Sequence, residues 1–386
     1  MNETIMANPG GASFAVDRAF WSGKRVFLTG HTGFKGSWML HWLAMLGAVT
    51  RGFALPPDTQ PSMFALTDAA ELCDHVVGDI RDAAALREAL VAFRPDIVIH
   101  AAAQPLVRLS YREPVDTFSS NVMGTINLLE ACRACESVAS VVVVTTDKCY
   151  ENAEWPFAYR ENDPMGGKDP YSASKACAEI VTHAWRESFF SSNSALSRQV
   201  PVSSARAGNV FGGGDYSADR LLPDAVRAFT TNEPLVIRSP GAVRPWQHCL
   251  EPIAGYLRLA RACHEGGTPY AKAFNFGPAA EQLLTVGDLA TAFAERWGEG
   301  AAWQHQPGEA HLKEAGLLLL DSGLAQRTLG WRQMSDVFVG LDATVEWYRA
   351  AADNASPSEL SALTRTQIAD LSGAPWPAGS SPNIQG

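Results

Sequence analysis

Short apolar runs alternate along the chain with longer stretches in which apolar residues recur every three or four positions. The short runs are typical of strands buried on both faces of a parallel sheet, and the longer stretches are typical of helices packed against it. We predict strands at 26–28, 47–55, 75–79, 96–100, 141–144, 202–206, 274–277 and 303–306. We predict helices at 38–46, 83–93, 114–133, 171–190, 251–263, 322–329 and 335–351, and another that starts near Thr285. This alternation predicts an α/β fold with a Rossmann-like doubly wound parallel sheet.

The alternation becomes irregular after residue 206, which divides the chain into two predicted parts. We assign 20–206, with return segments at about 249–278, to a dinucleotide-binding Rossmann domain. We assign 207–248 and 279–352 to a smaller C-terminal substrate-binding lobe. Residues 1–19 are expected to form a flexible leader. Residues 353–386 are rich in Ser, Pro, Ala and Gly, and we expect them to form a flexible tail.

Three glycines at a spacing of three, Gly30, Gly33 and Gly36, follow the first predicted strand. Glycine allows a tight turn and lets a diphosphate approach backbone N–H groups at the start of a helix. A tight turn without a ligand would explain the same residues. The spacing is a variant of the dinucleotide fingerprint, and the strands and helices that such a fingerprint requires follow it, so we favour dinucleotide binding.

The choice between NAD and NADP stays open from the second strand alone. An acidic residue near its end would bind the 2′-hydroxyl of NAD, and an arginine the 2′-phosphate of NADP, but this strand contains Arg51 and no acid. Asp79 ends the third strand, where it either binds the adenine end of a cofactor or serves as a turn or capping residue. The small residues Ala101, Ala102 and Ala103 let the backbone lie flat against a dinucleotide.

Candidate catalytic groups follow the central strand. Thr145, Thr146, Asp147 and Lys148 stand at its carboxyl end, where doubly wound sheets bind ligands. Tyr171 and Lys175 come one element later and share one helix face, so the ammonium group can depress the pKa of the phenol and hold a nicotinamide ribose.

The predicted second lobe contains arginines that suit a diphosphate-bearing substrate, because a guanidinium pairs with two phosphate oxygens at once. These are Arg220, Arg227, Arg238 and Arg244. Each could equally be a solvated surface residue, and Arg244, beside Pro245 and Trp246, is the best candidate.

The composition excludes several classes of partner. The 386 residues carry a net charge of −10 without long like-charge runs, so we expect no nucleic-acid or membrane partner. The sequence has neither a long apolar stretch nor a recognisable signal peptide, and we expect a cytoplasmic protein. Seven cysteines, an odd number, indicate reduced thiols. Cys132 and Cys135 have no second pair at zinc spacing, so we expect them to pack in the core and expect no metal site.

Together these motifs resemble the extended short-chain dehydrogenase/reductases that act on nucleotide sugars. Within that family they are most similar to the CDP-glucose branch of the 4,6-dehydratases, and the similarity covers roughly residues 20–350. The segments that carry it are 30–38, 104–111, 146–150, 206–210 and 244–248.

The resemblance implies a reaction and a role for each catalytic group. CDP-glucose would be oxidised at C4, lose water across C5 and C6, and receive the hydride at C6. Tyr171 would be the base at the 4-hydroxyl, with Thr146 bound to the same oxygen and Lys175 beside the phenol. Lys148 would remove the C5 proton and Asp147 protonate the departing hydroxyl. These two groups could equally form an ion pair that leaves neither useful in the free enzyme.

The resemblance also implies NAD, which suits a cofactor that is recycled within one reaction. The residues that would line the cofactor are Gly30, Gly33, Phe34, Gly36, Asp79, Ile80, Ala101, Ala102, Ala103, Ser120, Thr145, Tyr171 and Lys175. Those that would bind the nucleotide sugar are Asn209, Arg220 and Arg244. A homodimer or higher homo-oligomer would form through helices 114–133 and 171–190, unless the chain's own tail covers their apolar faces.

Two other functions compete with this hypothesis. A 4-epimerase or an NADP-dependent reductase would use the same Tyr171 and Lys175, but hydride transfer at C4 alone needs no second acid and base such as Asp147 and Lys148. A non-catalytic nucleotide-binding regulator would be expected to have lost the Thr146, Tyr171 and Lys175 constellation, which is intact here.

Overall fold

The computed structural model describes residues 16–191, 198–278, 283–298, 300–307 and 316–373. Its strands are β1 Arg25–Thr29, β2 Val49–Ala54, β3 Asp74–Val77, β4 Ile97–His100, β5 Ser140–Val144, β6 Val202–Ala207, β7 Val210–Phe211, β8 Leu235–Ile237, β9 Val243–Arg244, β10 Gln247–His248, β11 Ala273–Phe276, β12 Leu284–Thr285 and β13 Trp303–His305. Its α-helices are α1 Arg18–Trp21, α2 Phe34–Met45, α3 Met63–Leu66, α4 Ala83–Phe93, α5 Val107–Arg112, α6 Pro114–Phe118, α7 Gly124–Arg133, α8 Pro170–Trp185, α9 Leu221–Thr230, α10 Leu250–Gly266, α11 Val286–Trp297, α12 Gly323–Leu329, α13 Val337–Ala352 and α14 Pro357–Ser372.

A seven-stranded parallel sheet organises the molecule, in the order β11-β6-β5-β4-β1-β2-β3. The order reverses between β1 and β4, and this switch point is where doubly wound sheets bind ligands at the carboxyl ends of their strands. The predicted Rossmann-like fold is therefore confirmed.

Both faces of the sheet are covered, which explains why its strands are apolar at successive positions. Val26 and Leu28 belong to one core cluster, whereas Phe27 between them belongs to the other. Helices α2 and α10 contribute to the first cluster, and α4 and α7 to the second. Side chains of a strand point alternately to opposite faces, so an uninterrupted apolar run is needed to fill two cores at once.

The remaining strands form three two-stranded sheets, β7 with β10, β8 with β13, and β9 with β12. Helices α9 and α11 pack together through Phe229 and Phe293, whose stacked rings lie 6.1 Å apart. Strand β7 follows β6 after only Gly208 and Asn209. This part of the chain therefore starts at the carboxyl edge of the main sheet.

The C-terminal segment differs from the expected flexible tail. Residues 357–372 form helix α14, with Leu360 and Ile368 buried in the main core. The Trp347 indole donates a hydrogen bond to Thr364 Oγ1 at 3.0 Å. The tail prediction was wrong for this helix, because apolar side chains on one helix face are buried despite the polar average composition. Residues 374–386 lie outside the described residues.

The predicted leader also extends too far. Arg18 and Ala19 already belong to α1, whose Phe20 and Trp21 are buried, while residues 1–15 lie outside the described part. The predicted helix 114–133 is divided into α6, a π-helical turn at Ser119–Met123, and α7, and helix 171–190 ends in a π-helical turn at Arg186–Phe190. Within the described ranges no helix is long and apolar enough to cross a membrane.

Candidate active site

The glycine turn between β1 and α2 leaves open space in front of the helix. Gly30 has φ +76°, and a Cβ there would lie 2.6 Å from the backbone nitrogen of Ala102, so the chain itself requires glycine. A Cβ at Gly33 would meet only the Gly30 carbonyl oxygen, at 3.5 Å. Gly33 is the N-cap of α2 and provides no side-chain cap, so the first N–H groups of the helix face an open cradle. This cradle fits a dinucleotide diphosphate.

The loop after β4 forms the next wall of this cradle. Ala101, Ala102 and Ala103 are partly exposed there. The loop is held by Asn121, whose Oδ1 accepts from the Gln104 backbone N–H at 2.8 Å and whose Nδ2 donates to Ser174 Oγ at 2.8 Å. Sequence reasoning gave Asn121 no role, since an asparagine within a helical pattern carries no signal of this contact.

Asp79, Ile80 and Ser120 lie at the other end of the expected cofactor site. Asp79 Oδ1 accepts from the Arg81 backbone N–H at 2.8 Å, and the Arg81 side chain lowers the pKa of the Asp79 carboxyl. Asp82, not Asp79, caps α4. Asp79 thus has the geometry of a turn residue in this structure. Ile80 is buried and Ser120 partly exposed, and the cofactor role of all three stays a prediction.

Arg51 does not reach the carboxyl edge of the sheet. Its Nε donates to Asp74 Oδ2 at 2.7 Å, and its guanidinium packs over Phe93. It stands in mid-strand, three residues before the end of β2 at Ala54. Because the adenosine of a dinucleotide binds beyond strand ends, the argument for NADP from Arg51 fails.

A short 3₁₀ turn after β5 brings the candidate acid and base together. Asp147 is fully buried, and its Oδ1 accepts from the Thr146 hydroxyl at 2.9 Å and lies 3.5 Å from the Lys148 ammonium. Lys148 Nζ also donates to Asn209 Oδ1 at 3.1 Å. Asp147 Oδ2 has no partner among the described residues. Asp147 and Lys148 thus form the ion pair that was one of the two expectations, with one carboxylate oxygen left for a ligand.

Tyr171 and Lys175 line the same cleft from α8. The Tyr171 backbone N–H donates to Ser110 Oγ at 3.1 Å, which ties the helix start to α5. Burial raises the pKa of the Tyr171 phenol, while Thr146 and Arg220 oppose this rise. Lys175 donates to the Val144 carbonyl at 3.2 Å, and burial lowers its pKa to about 8. The groups that lower the phenol pKa in this structure are Thr146 and Arg220, where Lys175 was expected, and burial outweighs them.

A buried carboxylate that sequence reasoning missed lies one turn beyond Lys175. Glu179 accepts from Thr145 Oγ1 at 2.5 Å, Ser204 Oγ at 2.7 Å and Arg206 Nη2 at 2.8 Å. Burial alone would raise the pKa of Glu179, but Arg206 and the two hydroxyls hold it below its usual value. The spacing of four from Lys175 was the available signal, since it places both side chains on one helix face.

Two of the three predicted substrate residues, Asn209 and Arg220, also lie at this edge. Arg220 pairs with Asp215 Oδ2 at 2.8 Å and lies close enough to Tyr171 to act on its pKa. Asn209 contacts Lys148, and its backbone carbonyl accepts from the Gln247 N–H at 3.1 Å. Arg244 is buried three residues before Gln247. The structure therefore brings Asn209 and Arg220 to the predicted catalytic residues, whereas Arg227 is held by Asp224 on the surface.

A family model described as the NAD dependent epimerase/dehydratase family matches residues 26–277. The chain belongs to this family. A relative, the CDP-glucose 4,6-dehydratase of Salmonella typhimurium, is 47% identical over 335 residues, which cover 87% of this chain and 93% of the relative. The dTDP-glucose 4,6-dehydratase of Mycolicibacterium smegmatis is 28% identical over 335 residues, covering 84% of this chain and 93% of that protein.

Solved structures of other proteins share the fold. The dTDP-glucose 4,6-dehydratase DesIV of Streptomyces venezuelae, with NAD and TYD bound, has a TM-score of 0.72 at 24% identity and covers 86% of this chain and 99% of its own. The UDP-glucose 4-epimerase of Thermotoga maritima has a TM-score of 0.73 at 21% identity, with 85% and 99% coverage. At such identities the likeness concerns the fold alone.

Proposed function

We infer that the protein is a CDP-glucose 4,6-dehydratase. It converts CDP-D-glucose to CDP-4-dehydro-6-deoxy-D-glucose and water. The observation that carries this conclusion is the 47% identity to the Salmonella typhimurium enzyme over 87% of the chain. The Asp147 and Lys148 pair in the cleft supports it, because elimination needs an acid and a base besides Tyr171.

Hydride transfer from C4 of the glucose and back to C6 is the chemistry that bound NAD would supply. The cradle of Gly30, Gly33, Phe34 and Gly36 would hold its diphosphate at the N-terminus of α2. Thr145 and Lys175 would hold the nicotinamide half. Ala101 to Ala103 line the flat wall of the site.

Tyr171 removes the proton of the sugar 4-hydroxyl, which allows the carbonyl at C4 to form. The Thr146 hydroxyl exchanges its hydrogen bond to Asp147 Oδ1 for one to the same sugar oxygen and so keeps that oxygen beside the phenol. Arg220 favours the phenolate, because its cation opposes the effect of burial on the Tyr171 pKa. Arg244 and Asn209 bind the nucleotide sugar with Arg220.

Asp147 and Lys148 carry out the elimination as a coupled pair. A proton that moves from the Lys148 ammonium to Asp147 produces an amine and a carboxylic acid in one step. The amine removes the C5 proton, acidified by the carbonyl at C4, and the acid protonates the departing 6-hydroxyl, which leaves as water. The elimination restores the ion pair, whose members lie 3.5 Å apart, and the Lys148 ammonium then returns a proton to C5 as hydride reaches C6.

The experiment that tests this function incubates the purified protein and NAD with CDP-glucose, and in parallel with dTDP-, UDP- and GDP-glucose. Loss of water is followed by mass spectrometry. We expect CDP-glucose alone to be dehydrated, with Tyr171→Phe slowing the reaction by about 10²- to 10⁴-fold, as expected for loss of a general base. Tyr111→Phe, at an exposed tyrosine, is the matched control.

Asp147→Asn separates dehydration from epimerisation. We expect the variant to retain oxidation at C4, seen as the absorbance of the reduced nicotinamide, and to lose water formation. An unchanged substrate mass with inversion at C4 in the unmodified protein would instead establish a 4-epimerase.

We further propose that the protein forms a homodimer or higher homo-oligomer and is cytoplasmic. Val115, Met123 and Ile180 are 82%, 48% and 58% exposed on the segments expected to pair. Helix α14 packs on α2, α3, α10 and α13 and so leaves these segments uncovered. All seven cysteines are free thiols, which suits a reducing compartment.

A further inference from the structure

Tyr256 is a buried tyrosine on α10 to which the mechanism above assigns no role. The Ser140 hydroxyl at the start of β5 donates to the Ala260 carbonyl in the later part of α10 at 3.0 Å, so the earlier part of the helix lies beside the carboxyl end of β5. Helical side chains point towards the N-terminus of their helix. The Tyr256 side chain, one turn before Ala260, therefore points towards the edge of the sheet where the catalytic groups lie.

The Tyr256 hydroxyl is fully buried and has no hydrogen-bond partner within the described chain. Asp147 Oδ2 is also buried and has no partner among the described residues. Buried polar groups are normally hydrogen-bonded, because leaving one unpaired costs free energy. An open donor and an open acceptor at one end of β5 indicate a ligand atom that both accepts and donates a hydrogen bond, as the oxygen of a hydroxyl group does.

The neighbours of Tyr256 indicate which hydroxyl this is. Burial raises the pKa of the Tyr256 phenol, and Tyr171, Asp147 and Cys249 are close enough to add to the rise. Tyr256 therefore stays protonated and serves as a hydrogen-bond donor. Tyr171 is assigned to the 4-hydroxyl of the sugar and Asp147 to the 6-hydroxyl, and both hydroxyls lie on the same side of the hexose, joined through C5. A donor close to both residues faces that side of the sugar.

We propose that the Tyr256 hydroxyl binds the 6-hydroxyl of the sugar together with Asp147 and so forms the site of the leaving group. The proposal rests on the dehydratase function proposed above. The 6-hydroxyl is favoured over the 4-hydroxyl because Tyr171 and Thr146 already serve the latter, whereas Asp147 Oδ2 lacks a partner.

The role of Tyr256 in the elimination is to stabilise charge without transferring a proton. When the bond between C6 and its oxygen breaks, the electron pair goes to the oxygen, and Asp147 transfers its proton there to form water. Tyr256 keeps its own proton and donates a hydrogen bond to the same oxygen. This bond becomes stronger as negative charge develops, so it lowers the barrier to elimination and leaves oxidation at C4 unaffected.

The test compares the unmodified protein with Tyr256→Phe, both with NAD. Loss of water from CDP-glucose is followed by mass spectrometry, and CDP-xylose, which lacks only the hydroxymethyl group at C5, is measured as a competitive inhibitor. We expect Tyr256→Phe to lower kcat for water loss by about tenfold to 100-fold, as for removal of one donor to a developing charge. The inhibition constant of CDP-xylose should not change, because this sugar has no 6-hydroxyl.

Rapid mixing with CDP-glucose separates the two steps. Tyr256→Phe should reduce the nicotinamide at the rate of the unmodified protein and then accumulate it in the reduced form, because only the following elimination is slowed. A structural defect would slow both steps.

Thermal unfolding gives a further readout. Tyr256→Phe removes a buried hydroxyl without a partner, so its melting temperature should equal or exceed that of the unmodified protein. Tyr348→Phe is the matched control, since the buried Tyr348 hydroxyl donates to the Asp215 carbonyl. This control should melt at a lower temperature and show no accumulation of reduced nicotinamide.

Two outcomes overturn the role of Tyr256 alone. Unchanged water loss in Tyr256→Phe would mean that its hydroxyl does not touch the leaving group, and an equal weakening of CDP-xylose would mean that the substitution distorts the whole substrate site. Failure of the unmodified protein to remove water from CDP-glucose would refute the dehydratase function, and this role with it.

Discussion

Lys175 and Glu179 lie one turn apart on α8, and the buried Glu179 carboxylate raises the pKa of the Lys175 ammonium. Burial lowers the pKa of Lys175 to about 8, while Glu179 opposes that effect. Arg206, paired with Glu179 at 2.8 Å, keeps the carboxylate ionised. Glu179 is therefore a positioning residue that acts on the reaction through Lys175 and through Thr145.

This arrangement predicts a pH dependence for the unmodified protein and for Glu179→Gln. Lys175 must be protonated to hold the cofactor, so kcat/KM is expected to fall as the pH rises above about 8. Glu179→Gln removes a negative charge beside the ammonium, lowers the pKa of Lys175 further, and moves the alkaline fall to lower pH. The measurement is the pH profile of kcat/KM for CDP-glucose.

The matched control for this profile is Glu251→Gln. Glu251 is also a buried carboxylate, but it accepts from Met334 and Ser335 at 2.7 and 3.0 Å, away from Lys175. Both variants lose stability, and only Glu179→Gln should shift the profile. If both variants shift the pH profile equally, or if Glu179→Gln does not shift it, Glu179 does not act on the reaction through Lys175.

At the scale of elements, α14 closes the face of the main core formed by α2 and α10. Ser356 and Glu359 form a capping box that starts the helix, and Pro357 stands at its first position, where its fixed φ suits a helix start. Leu360 and Ile368 then enter the core. The helix thus has its own start signal and a buried face, and we expect it to contribute to the stability of the whole fold.

Ile368→Ala tests this contribution. The side chain is fully buried, so its truncation leaves a cavity and should lower the free energy of unfolding by about 2–5 kcal/mol. Urea unfolding monitored by circular dichroism measures the change. Thr366→Ala, at an exposed position of the same helix, should stay near the unmodified protein. A change at residue 368 no larger than that at 366 would mean that α14 is not part of the cooperative core.

At the scale of the whole molecule, two neighbouring segments present apolar side chains to solvent. Val115 and Met123 lie on α6 and the π-helical turn, and Ile180 lies on α8, which packs against both. A second copy of the chain that pairs the same segments would bury them in a four-helix interface.

Ile180→Glu tests the pairing. We expect the unmodified protein to sediment as a dimer or larger assembly and the variant to sediment as a smaller species, because a carboxylate would be buried without a partner at the interface. Val339→Glu is the control, since Val339 is 48% exposed on α13, away from these segments. Sedimentation of the unmodified protein as a monomer would refute the proposed assembly.

The sequence by itself determined the class of fold and most of the candidate chemistry. Uninterrupted apolar runs specify strands buried on both faces, and glycine spacing after the first of them specifies the turn before α2. Thr146, Asp147, Tyr171 and Lys175 could be found because each follows a strand end or shares a helix face at a short, readable spacing. These features depend on neighbours within a few residues.

Only the tertiary structure decided which distant groups meet. Lys148 contacts Asn209, 61 residues away, and the Tyr171 backbone is held by Ser110, 61 residues before it. Arg51 proved to lie in mid-strand against Asp74, and α14 proved to be packed where composition suggested a flexible tail. Such contacts depend on how separate elements pack, because a side chain's partner across the core is set by the position of its whole element and not by its sequence neighbours.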